Sequence, residues 1–148
     1  MLTLKQIALA INNKLAEVLP NIPIQSKDIS EGFERPSLFV DFDNITTSDY
    51  IGNKRERNIQ VIIYFFPTDR YNNKIEILEV QEALEQAFSG QLMIKEGFIV
   101  YPLEVNSVKV DGVLQFSFEI YTLEYEQDPA ETNADYMTDL YINLDERD

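Results

Sequence analysis

The sequence contains no cysteine and no histidine, and only five of its 148 residues are glycine. Without cysteine the chain has no disulfide scaffold, no thiol nucleophile and no thiolate ligand for zinc or an iron–sulfur cluster. Without histidine it lacks the usual general base and the commonest transition-metal ligand. Neither the Walker pattern nor the dinucleotide-binding pattern of glycines occurs. We therefore expect no cofactor, no metal and no catalytic residues.

Basic side chains are scarce as well. Twelve lysines and arginines face 26 acidic residues, which gives a formal net charge of −14. Such a negative charge disfavours binding to DNA or RNA, and it disfavours docking on anionic lipid. No apolar run approaches membrane-spanning length, and Met1–Lys5 lacks a signal-peptide pattern. These features predict a protein of the cytoplasm without a membrane partner.

Two segments have the periodicity of amphipathic helices. The first runs from Thr3 to Leu19, where Thr3 and Gln6 have the spacing of a capping box and Pro20 ends the helix. The second runs from Asn73 to Ser89, with Asn73 as the predicted N-cap and Gly90 after its end.

Several segments have the alternation of strands. A short piece around Pro23 is predicted to be an edge strand or no strand, because proline cannot donate to a ladder. Stronger strands are predicted at 37–45, 57–66, 97–110 and 113–125, with a short one at 91–94 and a loop at 47–54. The second of them, 57–66, is predicted to be central and covered on both faces. Asp111-Gly112 predicts a type I′ hairpin.

This order of elements predicts an α+β fold, with a mainly antiparallel sheet and both helices packed on one face. We assign residues 1–126 to this domain and residues 127–148 to an acidic C-terminal extension or arm. The arm carries seven acidic residues and a single basic one, Arg147. Its apolar residues have helical spacing and could cover their own domain or a neighbouring subunit, and we favour the neighbour: Tyr136, Met137, Leu140, Tyr141 and Leu144.

Two groups of carboxylates are candidate sites. Asp41, Asp43 and Asp49 could hold a divalent cation, but they lack the glycine and final glutamate of a calcium loop, so an exposed strand face is the favoured interpretation. A second set on predicted strands could form a catalytic carboxylate pair, although a chain with 26 acids produces such pairs by chance: Glu104, Glu119 and Glu124.

The candidate interface residues lie in two further places. Lys54, Arg55 and Arg57 form the one dense basic spot of an acidic chain. They could pair with acidic groups of a neighbouring subunit, or they could simply be the solvated start of a strand. Phe33 and Arg35 stand in a polar link, where Phe33 either anchors under the sheet or contacts a partner.

Six segments of the sequence, taken in their order along the chain, resemble the tail-terminator family of tailed bacteriophages and of phage-derived tail particles in Gram-positive bacteria. The most specific is Glu-Gly-Phe-Glu-Arg-Pro-Ser followed by an apolar strand. The resemblance covers roughly residues 3–126 and rests on these segments: Leu4–Asn12, Ile22–Ile24, Glu31–Val40, Arg57–Val61, Tyr64–Pro67 and Val110–Phe118.

The resemblance implies a non-catalytic virion protein that is assembled in the host bacterial cytoplasm. It implies a ring, typically a hexamer, which caps the tail tube, stops its polymerisation and offers a surface to the head or neck and, in contractile tails, to a sheath. DNA would only pass through its pore, and an acidic wall would repel the phosphates. The alternatives are a head–tail connector of the neck and, less favoured, a small carboxylate or metal-dependent enzyme or an acidic DNA mimic.

Overall fold

The computed structural model describes residues 2–25, 34–49 and 51–125. Its elements follow one another along the chain as α1 (Leu4–Val18), β1 (Ile24–Gln25), β2 (Ser37–Asp49), β3 (Lys54–Phe66), α2 (Lys74–Ala87), β4 (Leu92–Lys95), β5 (Phe98–Val100), β6 (Leu103–Val110) and β7 (Val113–Tyr125). The fold is α+β, as the sequence predicts.

Helix α1 begins with the predicted capping box. The backbone N–H of Gln6 donates to Oγ1 of Thr3, and the backbone N–H of Thr3 donates to Oε1 of Gln6, each over 3.0 Å. These two bonds satisfy donors that the first helical turn would otherwise leave unpaired. The helix ends before Pro20, where the N–H of Leu19 donates to the carbonyl oxygen of Leu15 over 2.8 Å.

Helix α2 begins after Asn73, as predicted, but the side chain of Asn73 does not cap it. Its backbone angles, φ −133° and ψ 9°, are not the extended ones that suit a side-chain cap. The Asn73 amide nitrogen instead donates to the carbonyl oxygens of Asp69, over 3.1 Å, and Arg70, over 3.0 Å. The Asn73 side chain therefore stabilises the preceding turn and does not cap the helix.

The main sheet has five strands in the order β1-β2-β3-β7-β6, so the predicted central strand β3 is in the middle. Strands β6 and β7 pair antiparallel, with Val110 opposite Val113. Between them Asp111 (φ 52°) and Gly112 (φ 77°) both have positive φ, which a type I′ turn requires. The predicted hairpin is therefore confirmed.

One face of the sheet forms the core with both helices. The sheet contributes alternating residues, which are fully or almost fully buried: Leu38, Ile59, Val61, Ile63, Phe65, Leu114, Phe116, Phe118 and Ile120. Helices α1 and α2 contribute Ile7, Ile11, Leu15, Ile77, Val80, Leu84, Ala87 and Phe88. Cover on both faces of β3 was predicted, and on the face opposite the helices Phe66 is buried, whereas Ile62 and Tyr64 are only half-buried.

The strands differ from the prediction in three places. Strand β3 begins at Lys54 rather than at Arg57. Strand β2 continues to Asp49, because its last residues extend beside β3 although all of them are exposed and give no burial signal. The predicted loop 47–54 is correspondingly shorter. The extended segment 97–110 is two strands, since Pro102 separates β5 from β6. Strand β5 pairs with β4 in a separate small sheet that packs against α1.

The chain divides into two compact units. Among the described residues, the larger unit comprises 2–47 and 57–122 and contains both helices and the whole hydrophobic core. The smaller unit comprises 48–49, 51–56 and 123–125, which are terminal parts of β2, β3 and β7 with the turn at 51–53.

Candidate subunit interface

The basic residues of the smaller unit contact groups of their own chain. Nη2 of Arg55 lies 3.5 Å from Oδ1 of Asp49, in an ion pair whose side chains are 31% and 81% exposed. Exposed pairs of this kind contribute about 0–1 kcal/mol to stability. Nζ of Lys54 lies 5.3 Å from the ring centroid of Tyr125.

Arg57, in the larger unit, makes a hydrogen bond to the segment that precedes α1. Its Nη1 donates to the carbonyl oxygen of Leu2 over 3.3 Å, and Leu2 is 1% exposed. Arg57 thus joins the residue before the α1 cap to β3. The structure gives each of Lys54, Arg55 and Arg57 a contact within its own chain, and their part in a subunit interface stays a prediction.

Arg35 joins the start of β2 to the end of β3. Its Nη1 donates to the carbonyl oxygen of Pro67 over 3.1 Å, and its guanidinium carbon lies 5.9 Å from the ring centroid of Phe66. The remaining candidate interface residues lie outside the described residues: Phe33, Tyr136, Met137, Leu140 and Tyr141.

Asp41 and Asp43, two of the candidate cation ligands, affect the pKa of a tyrosine. Burial, and after it the charges of Asp41 and Asp43, raise the pKa of Tyr64. The Tyr64 ring also lies 6.0 Å from that of Phe39, so these residues of β2 and β3 share the sheet face away from the helices. In the described parts of the chain, no three carboxylates are close enough to hold a metal ion.

The three glutamates that are candidates for a catalytic carboxylate pair occupy different environments. Glu119 lies opposite Leu103 in the β6–β7 ladder. Glu104 has a positive φ of 51° and lies where the register between Leu103 and Asn106 shifts. Glu124 is 7% exposed.

Among the described residues, two strand edges of the larger unit have no further strand beside them, and the sequence analysis did not predict them. Strand β6 is the last strand of the sheet, and all of its residues except Ser107 are exposed. At the opposite edge β1 pairs with only Leu38 and Phe39 of β2. From Val40 onward, no strand within the described ranges pairs with this side of β2. The sequence signal that could have indicated the β6 edge is the set of valines in 103–110.

A groove of about 500 Å³ follows the open edge of β2. Helix α1 contributes Ala8 and Asn12, and the opposite wall comprises Ile24, Gln25 and the segment Phe39–Phe42. Oδ1 of Asn12 is buried there and has no hydrogen-bond donor among the described residues. Because this oxygen is buried, it is not accessible to a group that enters the groove.

The edge strands of an open sheet carry backbone groups that are able to pair with another chain. The family model described as phage tail terminator protein matches residues 6–132, and the chain belongs to this family. It is therefore a structural or assembly component of a phage tail and part of the virion, where it associates with other tail proteins. No curated protein matches the chain significantly. None of the described helices has the length and apolar character that crossing a bilayer requires.

Proposed function

We propose that this protein closes into a ring on the end of the tail tube, stops tube polymerisation and joins the tail to the head or neck. The family match over residues 6–132 is the observation that carries the proposal. The ring is taken to be hexameric, with the tail tube protein as its first partner and head, neck or sheath proteins as further ones. The function is non-catalytic.

The physical requirements of a cap support this assignment. A cap must bind one end of a tube and refuse another tube subunit. A ring closes through a heterologous interface, in which one surface of each subunit meets a different surface of the next. In the part of the chain that the structure describes, the larger unit has two different sheet edges, β6 and the outer side of β2, as such an interface needs.

The charge of the chain supports passage of DNA through the ring. A net charge of −14 favours repulsion between a pore wall and DNA phosphates, so DNA would slide rather than bind. A pore lined by neutral or basic side chains would contradict this part of the proposal.

Electron microscopy of particles from a strain that lacks the gene tests the function. We expect tails of uncontrolled length, or tubes without heads, and restoration of normal tails when the gene is supplied in trans. Finished tails of normal length that are detached from heads would contradict tube capping and indicate a neck connector. Particles without any change would contradict the tail function as a whole.

A further inference from the structure

The open edges of β2 and β6 are long enough to pair with each other. Strand β6 offers eight residues, Leu103–Val110, and β2 offers a comparable length from Val40 to the end of the larger unit at Thr47. Natural proteins protect exposed edges with proline, charge or bulges. Strand β6 has a register shift near Leu103, but the remainder contains one charge, Lys109, and exposed valines, Val108 at 45% and Val110 at 42%.

The strand directions suit pairing between copies. A connection of only four residues joins β2 to β3, so these neighbours are antiparallel. Lys54 at the start of β3 lies against Tyr125 at the end of β7, which makes β3 and β7 antiparallel. Strands β7 and β6 are antiparallel too. Strands β2 and β6 therefore run in opposite directions, and a rotated copy would bring β6 antiparallel to β2.

The side chains of β6 match the groove beside β2. Ser107 and Lys109 lie opposite the core residues Phe116 and Leu114, and so point to the helix side of the sheet. The groove is on that side as well, because α1 forms one of its walls. A serine hydroxyl and a lysine ammonium both supply donors. Within the described part of the chain, Lys109 has no ion-pair partner of its own.

From these observations we propose that β6 of one subunit pairs antiparallel with the edge of β2 in the next subunit, and that Ser107 and Lys109 face the groove of that subunit. The occupant of the groove is therefore a second copy of this chain. The inference rests on the proposed ring and identifies the interface that closes it. Repetition of this one contact leaves no open edge in a closed ring.

Disulfide crosslinking tests the pairing, because the natural chain has no cysteine. Asp43→Cys on β2 is combined in turn with Asn106→Cys, Val108→Cys or Val110→Cys on β6, and purified particles are mildly oxidised. Facing residues on antiparallel strands approach closely enough for a disulfide, so one combination should give a ladder of oligomers on a non-reducing gel. Each single-cysteine variant should stay monomeric.

Three crosslinking results would overturn the proposal. The first is the absence of oligomers in all three combinations. The second is a dimer formed by a single-cysteine variant, which indicates that an edge pairs with its own counterpart. The third is a crosslink from β6 to the tube protein or to another part of this chain.

A charge on the edge gives a second, functional test. Val108→Lys should reduce the yield of capped tails about tenfold, because a lysine opposes strand addition. Met93→Lys is the matched control, since Met93 is also an exposed strand residue (62%) but belongs to the small sheet. It should leave the yield near that of the wild type, and urea unfolding should show that both variants fold.

The two proposals can fail separately. If deletion of the gene gives tails of uncontrolled length while the Val108→Lys variant gives tails of normal length, the capping function stands and the β2–β6 interface is wrong. If deletion changes no particle, the capping function itself is wrong.

Discussion

Arg57 illustrates how a charged side chain in a basic run can have a structural task. Its guanidinium donates to the carbonyl oxygen of the buried Leu2, whereas the sequence alone left open an interface role or a solvated strand start. We expect Arg57→Ala to lower the free energy of unfolding by about 1–2 kcal/mol, because the Leu2 carbonyl loses a charged donor.

Urea denaturation measures this effect, with Lys5→Ala as the control, since Lys5 is an exposed basic residue of α1. The control should change the free energy of unfolding by less than about 0.5 kcal/mol. Equal effects of the two substitutions would show that the Arg57–Leu2 contact does not stabilise the fold.

Tyr64 reports on the electrostatics of the open sheet face. Burial is the main cause of its raised pKa, and the charges of Asp41 and Asp43 follow. Because the folded state holds the phenol proton more tightly, its contribution to stability is present below the pKa of the unfolded chain and disappears as the pH rises through the folded pKa.

Carbon NMR of the tyrosine Cζ atoms, with Tyr64→Phe for assignment, should place the pKa of Tyr64 above the ordinary value of about 10. Asp41→Asn should lower it, and Asp43→Asn should lower it less. Asp111→Asn, in the exposed turn after β6, is the control and should not move it. A Tyr64 pKa that is insensitive to both aspartates would contradict the geometry of β2 and β3.

At the scale of elements, the start of α2 depends on a donor rather than on a capping acceptor. Asn73 is 4% exposed, and its amide donates to two carbonyl oxygens. An aspartate is as good as asparagine at an N-cap but cannot donate. Asn73→Asp should therefore lower the free energy of unfolding by about 1–3 kcal/mol.

Thermal or urea unfolding distinguishes the two roles, with Asn72→Asp as the control at an exposed neighbour. The control should lie within about 0.5 kcal/mol of the wild type. Full stability of Asn73→Asp would show that residue 73 acts as a conventional side-chain cap.

The elements that the sequence predicted well are those with a local cause. The capping box of α1, the Asp111-Gly112 turn and the alternation of β7 each depend on residues within a few positions of one another. The end of β2 was misplaced because its exposed residues extend beside β3 without burying anything. The segment 97–110 was predicted as one strand, but Pro102 divides it into β5 and β6.

At the scale of the whole molecule, sequence alone led to the α+β class and to the family, whereas the candidate site was predicted only in part. Arg35, Arg55 and Arg57 were recognised as residues of interest, and the structure gives them intrachain contacts. The open edges of β2 and β6 were missed, because an edge is defined by strand order in the sheet. That order depends on contacts between distant residues, which local periodicity does not report.

If this protein caps the tail tube, as we propose, it must occupy one end of each tube in the particle. Intact particles that carry a tagged copy of the protein can be labelled with gold and examined by electron microscopy. We predict label at one end of each tube, on the side of the head or neck, and none along the tube wall. Label along the tube, at the distal tip or only on the portal would contradict the account.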